Sequence, residues 1–113
     1  MMKDQIAVEQ FHAVEIRVGR IVEVEEFPKA RKPSYRLLVD FGQHGRRRSV
    51  AALRTDYELA ELQGRQVVCV VNLPPRRIAG VESEELVLAA TEQDGTLRLL
   101  GPSPEADLGS IIT

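Results

Sequence analysis

The sequence predicts an all-β domain, a five-stranded Greek-key barrel with a short helix between strands 3 and 4 and with N- and C-terminal extensions. Three observations predict it. Apolar and polar residues alternate over residues 15–26 and 35–41, the two-residue period of half-buried strands. The run 67–71, "VVCVV", is wholly apolar, as a strand buried on both faces would be. Only one stretch between these, residues 55–64, combines helical spacing with stop and start signals.

Asp4 is suited to cap a helical turn carrying Ile6, Val8 and Phe11. In the first strand Ile16 and Val18 alternate, Gly19 interrupts, and Val22 and Val24 resume beside Glu23 and Glu25. A glycine inside a strand marks a bulge or bend, as a small barrel needs at a corner. "FPKARKPS" is a loop, because Pro28 and Pro33 cannot donate to a ladder. The second strand puts Tyr35, Leu37, Val39 and Phe41 on one face. Residues 42–45 turn the chain, and "RRRSVAAL" pairs back, with Arg46 and Arg48 on the face opposite Arg47. In "TDYELAELQG", Thr55 or Asp56 caps a helix, Leu59 and Leu62 share a face, and Gly64 ends it. "QVVCVVNL" and "EELVLAAT" are the fourth and fifth strands; Asp94-Gly95 makes a tight turn, and "TLRLL" returns. The tail carries Leu108, Ile111 and Ile112, which need cover that another subunit would supply. Three strands, a helix and two strands is the order of the OB-fold. A sheet with a helix on one side has the same order, but the helix position favours the barrel.

A chain of 113 residues makes one domain, residues 1–113, large enough to fold without a metal or disulfide. Its net charge of −2 argues against a surface coated for non-specific nucleic-acid binding but leaves room for a local basic patch. Cys69 is the only cysteine, so no intramolecular disulfide forms, and its apolar neighbours suggest a buried, inert thiol. The N-terminus lacks the apolar core of a signal peptide, and no run is long enough to span a bilayer, so a cytoplasmic protein is expected.

Catalytic patterns are lacking. His12 and His44 stand far apart with no cysteine pair, no Gly-rich phosphate loop occurs, and Ser83 has no local histidine to act as base. A non-enzymatic protein without a cofactor is expected. Aromatic residues are too sparse for an extended base-stacking platform.

The most informative stretch is "NLPPRRIAGVESEE", residues 72–85. Pro74 and Pro75 fix φ and bias Leu73 toward extended backbone, so Arg76 and Arg77 have little backbone entropy left to lose on binding. Gly80 eases the return. The plainer alternative is a loop that ends a strand, kept wet by its arginines. Arg46, Arg47 and Arg48 likewise either contact a ligand or merely deter edge pairing.

The run from Asn72 to Arg77, with Gly80, Ser83 and Glu84, together with "EIRVGRIVEVEEFPKARKPSYRLLVDFG" and the tail, resembles the tRNA-binding OB-fold domain family. Members of that family stand alone or are appended to methionyl- and phenylalanyl-tRNA synthetases. Within it the chain is most similar to the branch of small secretion-related chaperones. Where tRNA-binding members show Ala-Asp-Lys-Leu-Tyr, this chain has Ala30-Arg31-Lys32-Pro33-Ser34-Tyr35; in place of Ser-Glu-Gly-Met it has Ser83-Glu84-Glu85-Leu86. It departs from the chaperone branch at Ser49-Val50-Ala51-Ala52-Leu53, where Ser-Ala-Gln is usual.

The resemblance implies a homodimer built through the terminal extensions, with a pocket rimmed by Arg76 and Arg77 and walled opposite by residues 27–35. The expected ligand contacts are Arg76, Arg77, Asn72, Ser83, Glu84, Lys32, Tyr35 and Ser49, with Ser83 and Glu84 either touching ligand or bracing the loop. The expected function is ATP-independent, export-related binding of unfolded polypeptide, which near-neutral charge favours. The alternative is tRNA held through its phosphates by Arg76, Arg77, Lys32 and the arginine run.

Overall fold

The computed structural model describes residues 1–113. Strand β1 (Ile16–Glu26) is long enough to serve two partners. Its first half pairs antiparallel with β4 (Gln66–Val70), and its second half with β2 (Tyr35–Asp40). β1 passes from β4 to β2 at Arg20, and the register with β2 then shifts between Ile21 and Glu23, so Val22 is the bulged residue. The bulge is therefore three residues beyond Gly19. Gly19 answers a different need: a Cβ there would lie 2.5 Å from Val39 Cγ1 and 2.8 Å from Phe41 Cε1. The missing side chain makes room for the Phe41 ring inside the barrel.

A 3₁₀ turn (Gly42–His44) leads into β3 (Arg46–Ala51), which pairs with β2. Strand β4 pairs on its other side with the short β7 (Leu86–Val87). The sheet order is β3-β2-β1-β4-β7, and the edges β3 and β7 approach each other, so an OB-fold barrel is nearly closed. Its interior holds Ile21, Leu37, Val39, Phe41, Leu53, Leu62, Val67 and Cys69. β4 is buried along its whole length, as its unbroken apolar run required.

The helices are shorter than the spacing suggested. The N-terminal one, α1 (Val8–His12), begins at Ala7, not Asp4; Gln10 Oε1 accepts from the Ala7 N–H at 2.8 Å. Helix α2 (Leu59–Leu62) begins after Glu58, whose N–H donates to Glu61 Oε1 at 2.8 Å. Neither Thr55 nor Asp56 caps it, because Asp56 Oδ2 accepts from Leu97 N at 3.0 Å. α2 still puts Leu62, fully buried, into the barrel, and such burial stabilises by roughly 1.5–3 kcal/mol. No helix is long and apolar enough to cross a membrane.

After β4 the chain does not run out as a simple extended elbow. It folds into a hairpin of β5 (Arg76–Ile78) and β6 (Val81–Ser83). Both turn residues have positive φ, 49° at Ala79 and 84° at Gly80, the backbone of a type I′ turn. The predicted fifth strand breaks into β7 and β8 (Ala89–Thr91), and β8 pairs with β9 (Leu97–Leu99) across the Asp94-Gly95 turn.

Side-chain amides secure both extensions. Asn72 accepts from Glu15 N at 2.8 Å and donates to Ala13 O at 2.7 Å. Gln66 donates to Ala106 O at 2.6 Å and accepts from Ala106 N at 3.0 Å. The tail then lies along β1: Gly109 N donates to Val18 O and Ile112 N to Ile16 O, both at 2.8 Å. Leu108 and Ile112 are half-buried on their own barrel, so of the three apolar tail residues only Ile111 is left exposed.

Candidate ligand-binding cleft

A cleft of about 860 Å³ opens where the barrel seam between β3 and β7 is incomplete. The end of β3 and the residues after it, Val50 to Leu53, form part of its floor. Leu86 to Ala89 and Leu97 form another part. The β5–β6 hairpin supplies Arg76, Arg77, Ile78 and Ala79, and the β1–β2 loop supplies Lys29, Arg31 and Lys32.

Local bonds hold both walls. In the loop, Phe27 N donates to Ser34 O at 3.2 Å and Ser34 Oγ to Lys32 O at 2.8 Å. Phe27 is buried, with Arg36 stacked 5.7 Å from its ring centroid. The hairpin is tied to β3 by its return strand. Ser83 Oγ accepts from Val50 N at 3.1 Å, Glu84 Oε1 accepts from Arg48 N at 2.8 Å, and Glu84 N donates to Arg48 O at 2.9 Å. Tyr35 and Tyr57 brace the far side: Tyr35 Oη donates to Tyr57 O at 2.8 Å, and Leu99 N donates to Tyr57 Oη at 2.9 Å.

The electrostatics are one-sided. Lys29, Arg31, Lys32, Arg76 and Arg77 line the cleft, and no lining residue is acidic. None of these five joins an ion pair; the chain's ion pairs use Arg17, Arg20, Arg46, Arg54 and Arg98. Arg77 makes one bond, to Gly80 O at 3.1 Å, across its own turn.

Of the residues singled out in the sequence, Arg76, Arg77 and Lys32 meet here. The other five lie outside the cleft lining. Tyr35, Ser49 and Ser83 are buried, and Tyr35 and Ser83 are occupied by the bonds just described. Asn72 spends its amide on the N-terminal segment, and Glu84 binds the β3 backbone. Ser49 points into the barrel toward Glu85. The arginine run is dispersed as well: Arg46 pairs with Asp40, Arg47 donates to Val71 O, and Arg48 is exposed away from the cleft. Lys29 and Arg31 belong to the loop, residues 27–35, expected to wall the pocket, although Lys32 alone of its cations was singled out as a contact. Their signal was a density of cations between two prolines, the same composition that drew attention to Arg76 and Arg77.

Residues 16–111 match the family model of a tRNA binding domain. Among curated proteins, the methionine–tRNA ligases of Methanococcus vannielii and Porphyromonas gingivalis are 43% and 42% identical over 107 residues, 95% of this chain. The chain spans only 16% and 15% of those ligases. Among solved structures, the chaperone CsaA of Bacillus anthracis superposes with a TM-score of 0.92 at 39% identity, covering 97% of this chain and 100% of that one. CsaA of Picrophilus torridus gives 0.90 at 40% identity, with 96% and 100% coverage. A MetRS-related protein of Pyrococcus horikoshii gives 0.89 at 28% identity, covering 98% of this chain and 100% of that one. On the extent of the model match and the identity to the ligases, this chain belongs to the tRNA-binding domain family.

Proposed function

We propose that the protein is a non-catalytic binder of structured, tRNA-like RNA, whose phosphates are held at the cleft by Lys29, Arg31, Lys32, Arg76 and Arg77. The observation that carries this reading is five unpaired cations and no carboxylate around one cleft, in a chain of net charge −2. Near-neutral overall charge had favoured a polypeptide ligand. The cleft reverses that preference, because charge is partitioned: no acid lines the cleft, and the cleft's cations join none of the chain's ion pairs. Low-dielectric apolar walls beside those cations strengthen their field toward an anion. The family match supports the same ligand class.

A second reading has its own support. The floor, with Val50, Leu53, Ile78, Leu86 and Leu88, is apolar enough to take side chains of an unfolded polypeptide. Two of the superposed structures are chaperones. In either case the protein works as a homodimer. Ile6, Val8, Phe11 and Val14 are exposed, and the groove between residues 11–17 and the tail leaves Ile111 exposed beside them.

Titration of the pure protein with bulk tRNA and with a denatured secretory protein, each at two salt concentrations, separates the readings. Salt-sensitive tRNA binding with weak polypeptide binding is expected. Polypeptide binding that resists salt, without tRNA binding, would reverse the order. Sedimentation of the full chain beside one lacking residues 1–12 tests the dimer, which the truncation should dissociate.

A further inference from the structure

The residue beside the hairpin tether has no partner. Glu85 is 3% exposed, and neither carboxylate oxygen has a hydrogen bond. Ser49 is 1% exposed, and its hydroxyl is also unpartnered. The two groups face each other: Ser49 is close enough to favour the charged form of Glu85, yet short of hydrogen-bond geometry. Buried polar groups are almost always satisfied, so a facing pair of unsatisfied ones marks a special place.

We infer that Glu85 is a proton-operated latch, which seats the cationic hairpin on β3 when its carboxyl is protonated and loosens it when ionised. The inference rests on the reading of the cleft as the ligand site.

The covalent setting supplies the coupling. Immediately before Glu85, Ser83 and Glu84 make the three bonds that hold the hairpin to β3. Immediately after it, Leu86 and Val87 pair with β4 and line the cleft. Glu85 thus sits between the anchor of Arg76 and Arg77 and the cleft floor. A neutral carboxyl can donate its O–H to Ser49 Oγ, which satisfies both groups with a small adjustment. A carboxylate at the same place can take only the Ser49 O–H, which leaves a charge out of water with at most one donor, and carrying it to water pulls on the backbone at Glu84 and Leu86.

The surrounding charges agree. Burial is the largest influence on Glu85 and pushes its pKa up to about 7; the Ser49 hydroxyl opposes this, Glu84 beside it adds to it, and Arg47 of β3 opposes it. Arg47 already donates to Val71 O. Cys69 of β4 also faces Glu85, and burial holds that thiol protonated. For a carboxyl raised in the seated state, seating is favoured at low pH and is lost as pH rises through the seated value. Against an ordinary carboxyl in the open state, the seating equilibrium falls about tenfold between pH 6 and pH 8.

Hydrogen exchange of the full-length protein reads this without a ligand. Protection of the Val50 and Glu84 amides, corrected for intrinsic rates, should fall about tenfold from pH 6 to pH 8. Glu85→Gln should make that protection independent of pH, and Glu85→Leu should do the same if the amide folds poorly. Affinity for bulk tRNA at fixed salt, measured in parallel, should weaken with pH in the wild type and stay level in the variants. Protection that is flat in the wild type, or that falls equally in the variants, overturns the latch. Falling protection with unchanging tRNA affinity overturns its coupling to the ligand. No tRNA binding at either pH, with protection behaving as expected, would overturn the RNA reading and uphold the latch.

Discussion

Replacing Arg76 and Arg77 together by alanine tests the electrostatic reading most directly. Each phosphate neutralised releases about 0.7–0.9 of a counterion, the lower figure for single strands and the upper for duplex. Five cations engaged at the cleft give a slope of log affinity against log salt of about −3.5 to −4.5. Raising salt from about 50 to about 200 mM should then weaken tRNA binding roughly 100- to 500-fold. With Lys29, Arg31 and Lys32 left, the slope should drop to about −2.1 to −2.7, and the same salt step should cost only about 20- to 40-fold. Fluorescence anisotropy with labelled tRNA at four or five salt concentrations measures both slopes. The exposed arginines make no ion pair, so their loss should leave the thermal midpoint nearly unchanged. A double variant with the wild-type slope would show that phosphates do not reach the hairpin, whatever its absolute affinity.

Two further substitutions probe the scaffold that presents the cleft. Gly19→Ala should destabilise the barrel by about 1–3 kcal/mol, because its Cβ collides with buried Val39 and Phe41; a lowered denaturant midpoint is expected, and an unchanged one would mean the core yields freely. Ala79→Asn should stabilise the hairpin by up to about 1 kcal/mol, since Asn-Gly suits two positive-φ positions better than Ala-Gly. Hairpin amides should then gain up to about fivefold in exchange protection, and a loss of protection would contradict the turn geometry.

How much of this was legible in the sequence depended on the range of the interaction. The barrel strands were readable because Ile16, Val18, Leu37 and Val39 repeat at the period of a pleat, and because β4 is apolar throughout. The hairpin was not, since β5 and β6 have three residues each, too few to show a period, and the turn Ala79-Gly80 lacks the usual Asn. The helix cap was misplaced for a tertiary reason: Asp56 is a good local cap, but a backbone N–H 41 residues away claims its carboxylate. Asn72, Ser83 and Glu84 follow the same rule. Their partners lie between 33 and 59 residues away, so no local pattern distinguishes a side chain that braces a loop from one that meets a ligand.

Charge shows the same limit from the other direction. A net charge is a sum over the chain, whereas a ligand meets only the residues on one face. Here Glu15, Glu26, Asp40, Glu92 and Glu105 pair with arginines away from the cleft. The two segments that flank the cleft are bracketed by prolines, Pro28 with Pro33 on one side and Pro74 with Pro75 before the other. Neither presents an acid toward the opening. Stiff loops of this kind hold like charges near one another at low entropic cost, and that repulsion is relieved only when an anion arrives. An uncharged peptide would gain from the floor but leave the repulsion in place. A phosphate backbone would relieve it, so affinity should track the anionic character of the ligand more closely than its apolar content.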